Sequence, residues 1–310
     1  MINAVFCFDE KYLYPAIVST SSAIKNTKNL KIYWIVFNNL KEKVKNILSK
    51  YEIANSVDLI SVDDKLFQDW REEFLVELYN FKFLVSRAAY LKFLIPELIN
   101  KDKIIYLDSD TYVLSDLSEL YRENLDNFCI GGVEDLVASK SNKIMKGSTD
   151  KYINSGVLLM NLKKIREKKS LSNLNNFYIE NEEKIVWADQ CIFNKIFEKE
   201  KKIIDYKWNK IINTTKTKYE DFNQIIKKNY ILHFAGGVKP WQQWCNPEIF
   251  NYYRKQLDKL NIFDFPFQKI DNVGKALKLT EALEINGQFQ KSCEIKTEII
   301  DNLLKEIDKS

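Results

Sequence analysis

The stretch KIIYLDSDTYVL (103–114) decides the reading of this chain, because an apolar run of strand length stops on two carboxylates one residue apart. Side chains alternate across a strand, so Asp108 and Asp110 are expected on the same side. Two like charges held together are costly unless a cation neutralises them. Oxygen ligands at this spacing suit Mn²⁺, or Mg²⁺ as the alternative ion, with a phosphate completing the coordination. Such a carboxylate pair also occurs in ordinary solvated turns, so its weight depends on the surrounding sequence.

Upstream, NAVFCF (3–8), KIYWIVF (31–37) and SVDLISV (56–62) read as buried strands, with helical stretches at 12–22 and 41–52 between them. Residues 83–99 read as a helix leading into the central strand, and FCIGGVED (128–135) and GVLLMNL (156–162) as further strands. This alternation indicates a parallel or mostly parallel sheet with helices on both faces. In open sheets of this kind the ligand lies beyond the carboxyl ends of the strands, where Asp9, Asp108 and Asp110 fall. From about residue 245 the pattern turns helical. NPEIFNYYRKQLDKL is followed by a break at FDFPF and by amphipathic stretches over 273–308 interrupted near Asn286 and Gly287. We expect residues 1–250 to form the catalytic domain and 251–310 a helical appendage, used for packing, for a homodimer or for docking on a membrane. Acidic residues outnumber lysines over 269–308, which disfavours a basic membrane-binding face.

The 310 residues are 45% apolar and 29% charged, as in an ordinary globular enzyme. A net charge of +4 with the signs interspersed carries no nucleic-acid footprint. Five scattered cysteines without a CxxC pair speak against a structural zinc site or a disulfide framework, and suit a reducing compartment. No apolar run reaches the roughly 18 residues of a spanning helix, and no signal-like segment opens the chain. The expected location is the cytoplasm, with any membrane contact peripheral, at the inner face of the cell membrane.

A second motif, HFAGGVKPW (233–241), holds the single histidine of the chain. One histidine alone is more often a structural residue than a ligand. Here His233 leads into two glycines, which let backbone approach a ligand, and then into Lys239, a point charge suited to phosphate. An imidazole added to two carboxylates shifts the metal preference towards Mn²⁺. Between the two motifs, INSGVLLMNL places Asn154 before a turn, and WADQCIFN places Asp189 and Gln190 at the start of a helix. Helix capping accounts for such an aspartate as readily as sugar recognition does.

These motifs, in this order, resemble those of the family 8 glycosyltransferases, which include bacterial lipopolysaccharide galactosyl- and glucosyltransferases and glycogenin. The resemblance covers about residues 1–250 and rests on FDEKY, SRAAYLKFLIPEL, YLDSDTYV, ED at 134–135, YINSGVLLMNL, WADQCIFN and HFAGGVKPW. It implies a nucleotide-diphosphosugar transferase fold of the GT-A type, a Rossmann-like mixed sheet flanked by helices. It also implies a retaining transfer of a hexose, galactose before glucose, from a UDP-sugar to a saccharide or glycolipid acceptor in surface-glycan synthesis. Asp108, Asp110 and His233 resemble the metal ligands. Asp9 resembles the uracil contact, with Cys7 and Tyr12 lining the base and Ser109 beside the nucleotide. Gly236 and Lys239 resemble the diphosphate cradle. Asp135, Asn154, Asp189 and Gln190 match positions around the donor sugar and its anomeric carbon.

Two positions depart from the family pattern. Lys92 stands where relatives usually have an arginine on the donor sugar and phosphate, and lysine lacks the bidentate fork. Lys11 replaces an asparagine near the ribose. Two other readings compete. One sets DSDTYV against the DxDxT segment of haloacid-dehalogenase-like phosphatases, although those place the nucleophile near the N-terminus and would leave His233 without a role. The other keeps the fold as a non-catalytic UDP-sugar-binding module.

Overall fold

In the computed structural model, which describes all residues except 68–69, 71–72, 79–80, 140–150, 170, 173 and 308–310, the early apolar runs become strands. β1 (Ile2–Cys7), β2 (Leu30–Phe37) and β3 (Val57–Val62) are rich in Ile, Val and aromatic residues, which pack well on a pleated surface. They pair in parallel, with Phe6 opposite Trp34 and Trp34 opposite Leu59. The helix Leu13–Asn26 links β1 to β2 and is buried along Leu13 and Pro15–Ala23. β4 (Glu73–Leu78) and β5 (Phe81–Ser86) form a separate antiparallel pair.

The remaining strands are β6 (Lys103–Leu107), β7 (Thr111–Val113), β8 (Ile130–Glu134), β9 (Ile153–Asn161), β10 (Lys201–Ile203), β11 (Lys210–Ile211) and β12 (Ile231–His233). Among the described residues, seven strands form the main sheet in the order β10-β8-β9-β6-β1-β2-β3. β9 runs antiparallel to both β6 and β8, and the other pairings are parallel, so the sheet is mixed. The β8–β9 register shifts between Gly132 and Glu134, a bulge of the kind that re-aims the residues that follow it, here Asp135.

Two local expectations fail. Residues 83–99 do not form one helix: β5 runs to Ser86, Arg87–Leu94 is a 3₁₀ helix, and only Ile95–Leu98 is α-helical. Pro96 has no N–H to bond an upstream carbonyl, so it sits in the first turn of the short α-helix rather than in the interior of a longer one. In 103–114 the strand stops before the carboxylates as read, ending at Leu107, but the two aspartates do not continue its alternation. The chain turns at Asp108, where Thr111 N donates to the Asp108 carbonyl at 3.1 Å and the Thr111 hydroxyl to the same oxygen at 2.7 Å. The carboxylates therefore sit on a turn between β6 and β7, and strand alternation is not what aligns them.

By compactness the chain divides into two units, Met1–Lys210 with Asn229–His233, and Ile211–Lys228 with Phe234–Ser310. The first unit carries the main sheet and a core in which Trp70 stacks on Tyr178 with ring centroids 3.9 Å apart. The second holds the helices Pro247–Lys259, Val273–Ile285 and Phe289–Ile307. The last two pack on each other across a break at Gly287, whose φ of +72° a residue with a side chain rarely adopts. No helix among the described residues is long and apolar enough to cross a membrane.

Candidate active site

β6 ends at Leu107 and delivers Asp108, and the turn delivers Asp110. β12 pairs antiparallel with β7, setting His233 opposite Thr111 and so beside the turn. The ligand atoms of Asp108, Asp110 and His233 all lie within 4.8 Å of one another. His233 Nε2 is 3.3 Å from Asp110 Oδ1 and 3.7 Å from Asp108 Oδ2. The other Asp108 oxygen, Oδ1, accepts from the Tyr106 hydroxyl at 2.5 Å, which leaves Oδ2 turned to the histidine. Asp110 and His233 are buried and Asp108 is half-buried.

A buried site of two carboxylates and one imidazole is a fitting donor set for a divalent cation of the Mn²⁺ type. Ser109, between the two aspartates, has a buried Oγ without a hydrogen-bond partner among the described residues, a polar atom suited to an incoming ligand. Gly156 on β9 backs the site, and its carbonyl accepts from Asp108 N at 2.7 Å.

Beside this trio lies a second charged group. Lys92, 1% exposed, donates from Nζ to Asp189 Oδ2 at 2.7 Å. It also reaches Asp108 Oδ1 at 3.4 Å and the Ser155 carbonyl at 3.5 Å, and its Nζ stands 4.4 Å from the centroid of the Tyr106 ring. Burial pulls the ammonium towards neutrality, but the carboxylates of Asp108 and Asp189 outweigh it and hold its pKa above the ordinary lysine value. The Asp189 carboxylate also accepts from Ser155 Oγ at 2.7 Å. Asp108, Asp110 and Asp189 with Lys92 leave a formal charge of −2, which one divalent cation would balance.

Asp189 does not cap its helix. The N-cap of Ala188–Ile196 is Trp187, which makes no side-chain cap bond. Ala188 holds a φ of +46°, a left-handed conformation that costs about 1–3 kcal/mol for a residue with a Cβ and turns Asp189 and Gln190 inward. Gln190 Nε2 donates to Asp135 Oδ2 at 3.1 Å, and Asn154 Nδ2 donates to Gln190 Oε1 at 3.0 Å and to Asp135 Oδ2 at 3.3 Å. Asp135, Asn154, Asp189 and Gln190 are all buried, so the structure brings these four together as one polar cluster.

At the end of β1, Cys7 is buried, and burial pushes its thiol well above the usual range. Asp9 accepts from Tyr12 N at 3.2 Å and so caps the turn Glu10–Tyr12, while Tyr12 is half-buried. Gly236 and Lys239 belong to the second unit. Gly236 has a φ of +101° and open space where a Cβ would stand. Lys239 Nζ donates to the Phe234 carbonyl at 3.0 Å, and its N–H to Gln242 Oε1 at 2.8 Å. Sequence reasoning passed over Tyr106, Ser155, Gly156 and Asn209. The last, buried in the plain run YKWNKII, accepts on Oδ1 from His233 Nδ1 at 2.9 Å and carries no motif that could have marked it.

The sequence profile of Glycosyl transferase family 8 matches residues 3–245. The chain belongs to this family. It is 26% identical over 245 residues to glycosyltransferase GlyF of Streptococcus pneumoniae, an alignment covering 78% of this chain and 58% of that longer relative. It is 26% identical to a lipopolysaccharide 1,2-glucosyltransferase of Escherichia coli, over 86% of this chain and 81% of the relative. Among solved structures, the galactosyltransferase LgtC in complex with donor and acceptor sugar analogs superposes with a TM-score of 0.68 at 19% identity. That match covers 86% of this chain and 98% of that one, and it gives this glycosyltransferase the GT-A fold. The phosphatase reading is not favoured. In DSDTYV the threonine follows Asp110 directly, the DxDxT threonine position is Tyr112, and the Thr111 hydroxyl is spent on the Asp108 carbonyl.

Proposed function

We propose that this glycosyltransferase moves a hexose from a UDP-sugar to a saccharide or glycolipid acceptor with retention of anomeric configuration, in surface-glycan synthesis at the inner face of the cell membrane. Residues 1–250 form the catalytic part in this reading, and galactose stands ahead of glucose. The observation that carries it is the convergence of Asp108, Asp110 and His233, whose ligand atoms lie within 4.8 Å, beside the buried cluster of Lys92, Asp135, Asn154, Asp189 and Gln190. The trio would hold Mn²⁺, or Mg²⁺ in its place. When bound, the ion supplies positive charge to a diphosphate leaving group.

The chain's own residues account for the rest of the chemistry. Burial raises the Asp189 carboxyl above its ordinary value, and Lys92 opposes that rise and fixes the group, so that a carboxyl of constant orientation is offered to the donor sugar. Asp135, Asn154 and Gln190 present acceptors and donors whose positions are set by one another rather than by solvent, the preorganisation that favours a charged transition state. Gln190 Oε1 already accepts from Asn154 Nδ2 and from Ser155 N, and Asp189 Oδ2 from Lys92 and Ser155 Oγ. A doubly engaged amide oxygen, and a carboxylate held against a buried ammonium, are weakened nucleophiles, which favours attack by the acceptor on the face the diphosphate leaves. Cys7, Asp9, Tyr12 and Ser109 are assigned to the nucleoside, and Gly236 and Lys239 to the diphosphate.

The test is release of UDP from a panel of UDP-sugars with Mn²⁺ and without acceptor. UDP-galactose and UDP-glucose should be hydrolysed ahead of the N-acetylated and uronic sugars. Absence of Mn²⁺-dependent release from every donor would overturn the reading.

A further inference from the structure

We propose that Asn209 is a positioning residue that sets the tautomer of His233 and ties the metal ligands to the Asn154–Gln190–Asp135 cluster; the second half of this rests on the metal site proposed above. The two ends of an amide have the same shape, so the argument starts from backbone groups whose polarity is fixed. Gly156 N–H donates to Asn154 Oδ1 at 3.0 Å, which makes that atom an oxygen. Asn209 meets the same oxygen at 2.8 Å and must present Nδ2–H to it. Its other end, Oδ1, therefore faces His233 Nδ1 at 2.9 Å. A carbonyl oxygen only accepts, so Nδ1 carries the ring proton. Nε2, 3.3 Å from Asp110 Oδ1, is left without a proton, the state a metal ligand requires.

The far side of the cluster closes by the same logic. Ser155 N–H donates to Gln190 Oε1 at 3.2 Å, so Asn154 presents Nδ2 to that oxygen, and Gln190 turns its own Nε2 to Asp135. Two adjacent backbone N–H groups on β9 thus orient three side-chain amides in a row, from His233 to Asp135. Asn209 is 2% exposed, and its backbone N–H is held on the Tyr206 carbonyl at 3.2 Å. Outer partners of this kind orient a ligating histidine and raise metal affinity about 10–100-fold.

Because the chain has one histidine, a ¹⁵N-histidine spectrum contains one imidazole. Recorded on the metal-free protein in alkaline buffer, it should show the Nδ1–H tautomer. An Nε2–H tautomer in the wild type would overturn the proposal without recourse to any variant. Asn209→Leu should move the ring to Nε2–H and weaken Mn²⁺ binding about 10–100-fold in a calorimetric titration. Asn209→Asp keeps the acceptor towards His233 and should keep the Nδ1–H signature. An unchanged tautomer in Asn209→Leu would overturn the role of Asn209. Undiminished Mn²⁺ affinity in His233→Ala would instead remove the metal reading and leave the tautomer assignment standing.

Discussion

Gly156→Ala is a small change with a large expected effect. A Cβ at this position would lie 2.1 Å from His233 Cε1, and 2.8 Å from both His233 Nδ1 and Asp108 Oδ2. Non-bonded carbons rest at about 3.5–4.0 Å, so the imidazole would have to retreat by about 1.5 Å. It cannot do so cheaply, because its Nδ1 bond to Asn209 is 2.9 Å long and the ring is buried. Overpacking of this kind typically costs about 1–3 kcal/mol of stability. For a chain of this size each kcal/mol lowers Tm by about 1–2 °C. Metal coordination tolerates displacements of only about 0.2 Å, so the functional loss should exceed the loss of stability. The assay pairs thermal unfolding with a calorimetric Mn²⁺ titration at a temperature where the variant is folded. We expect a modest fall in Tm and at least a tenfold loss of Mn²⁺ affinity, in line with disturbed ligand support. A folded Gly156→Ala with wild-type Mn²⁺ affinity and UDP release would refute this account of how β9 shapes the site.

Three further outcomes are expected. Lys92→Met leaves the buried Asp189 carboxylate without its cation, and should cost about 3–5 kcal/mol in denaturant unfolding, with much of that recovered in the Lys92→Met, Asp189→Asn double variant. Burial raises the Cys245 thiol above its ordinary value of 9.0, so the unfolded chain ionises it first. Its contribution to stability is therefore full below pH 9 and shrinks as the pH rises beyond that, which equilibrium unfolding at a series of alkaline pH values should reveal. Among the cysteines only Cys293 is exposed, and a thiol reagent should label one group rapidly in the native protein and the remaining four only on unfolding.

What was legible in the sequence was chemistry carried by residue type: Asp108 and Asp110 stand out as a pair ending an apolar run, and His233 as the single histidine of the chain. Their grouping as one ligand set came from the family resemblance alone, since nothing in residue spacing reveals the β7–β12 pairing that brings His233 to the turn. The antiparallel direction of β9 was hidden as well, because a fully buried run such as GVLLMNL reads the same in either orientation. Local geometry misled at 83–99, where apolar spacing suggested a helix but Pro96 and a β-rich start divided the segment. Lys92 was expected at the donor, and its nearest partner proves to be Asp189, a residue far along the chain. Asn209 and Gly156 escaped notice because their roles lie in what they orient and in what they leave room for. Neither property has a signature in sequence.

The central claim is that Asp108, Asp110 and His233 form one metal site. The most direct measurement is a Mn²⁺ titration in the presence of UDP, comparing the wild type with Asp110→Asn and His233→Ala and checking the folding of each by circular dichroism. The account predicts one Mn²⁺ bound per wild-type chain and a loss of binding of at least tenfold in both variants while they stay folded. Folded variants that bind Mn²⁺ as tightly as the wild type would contradict it.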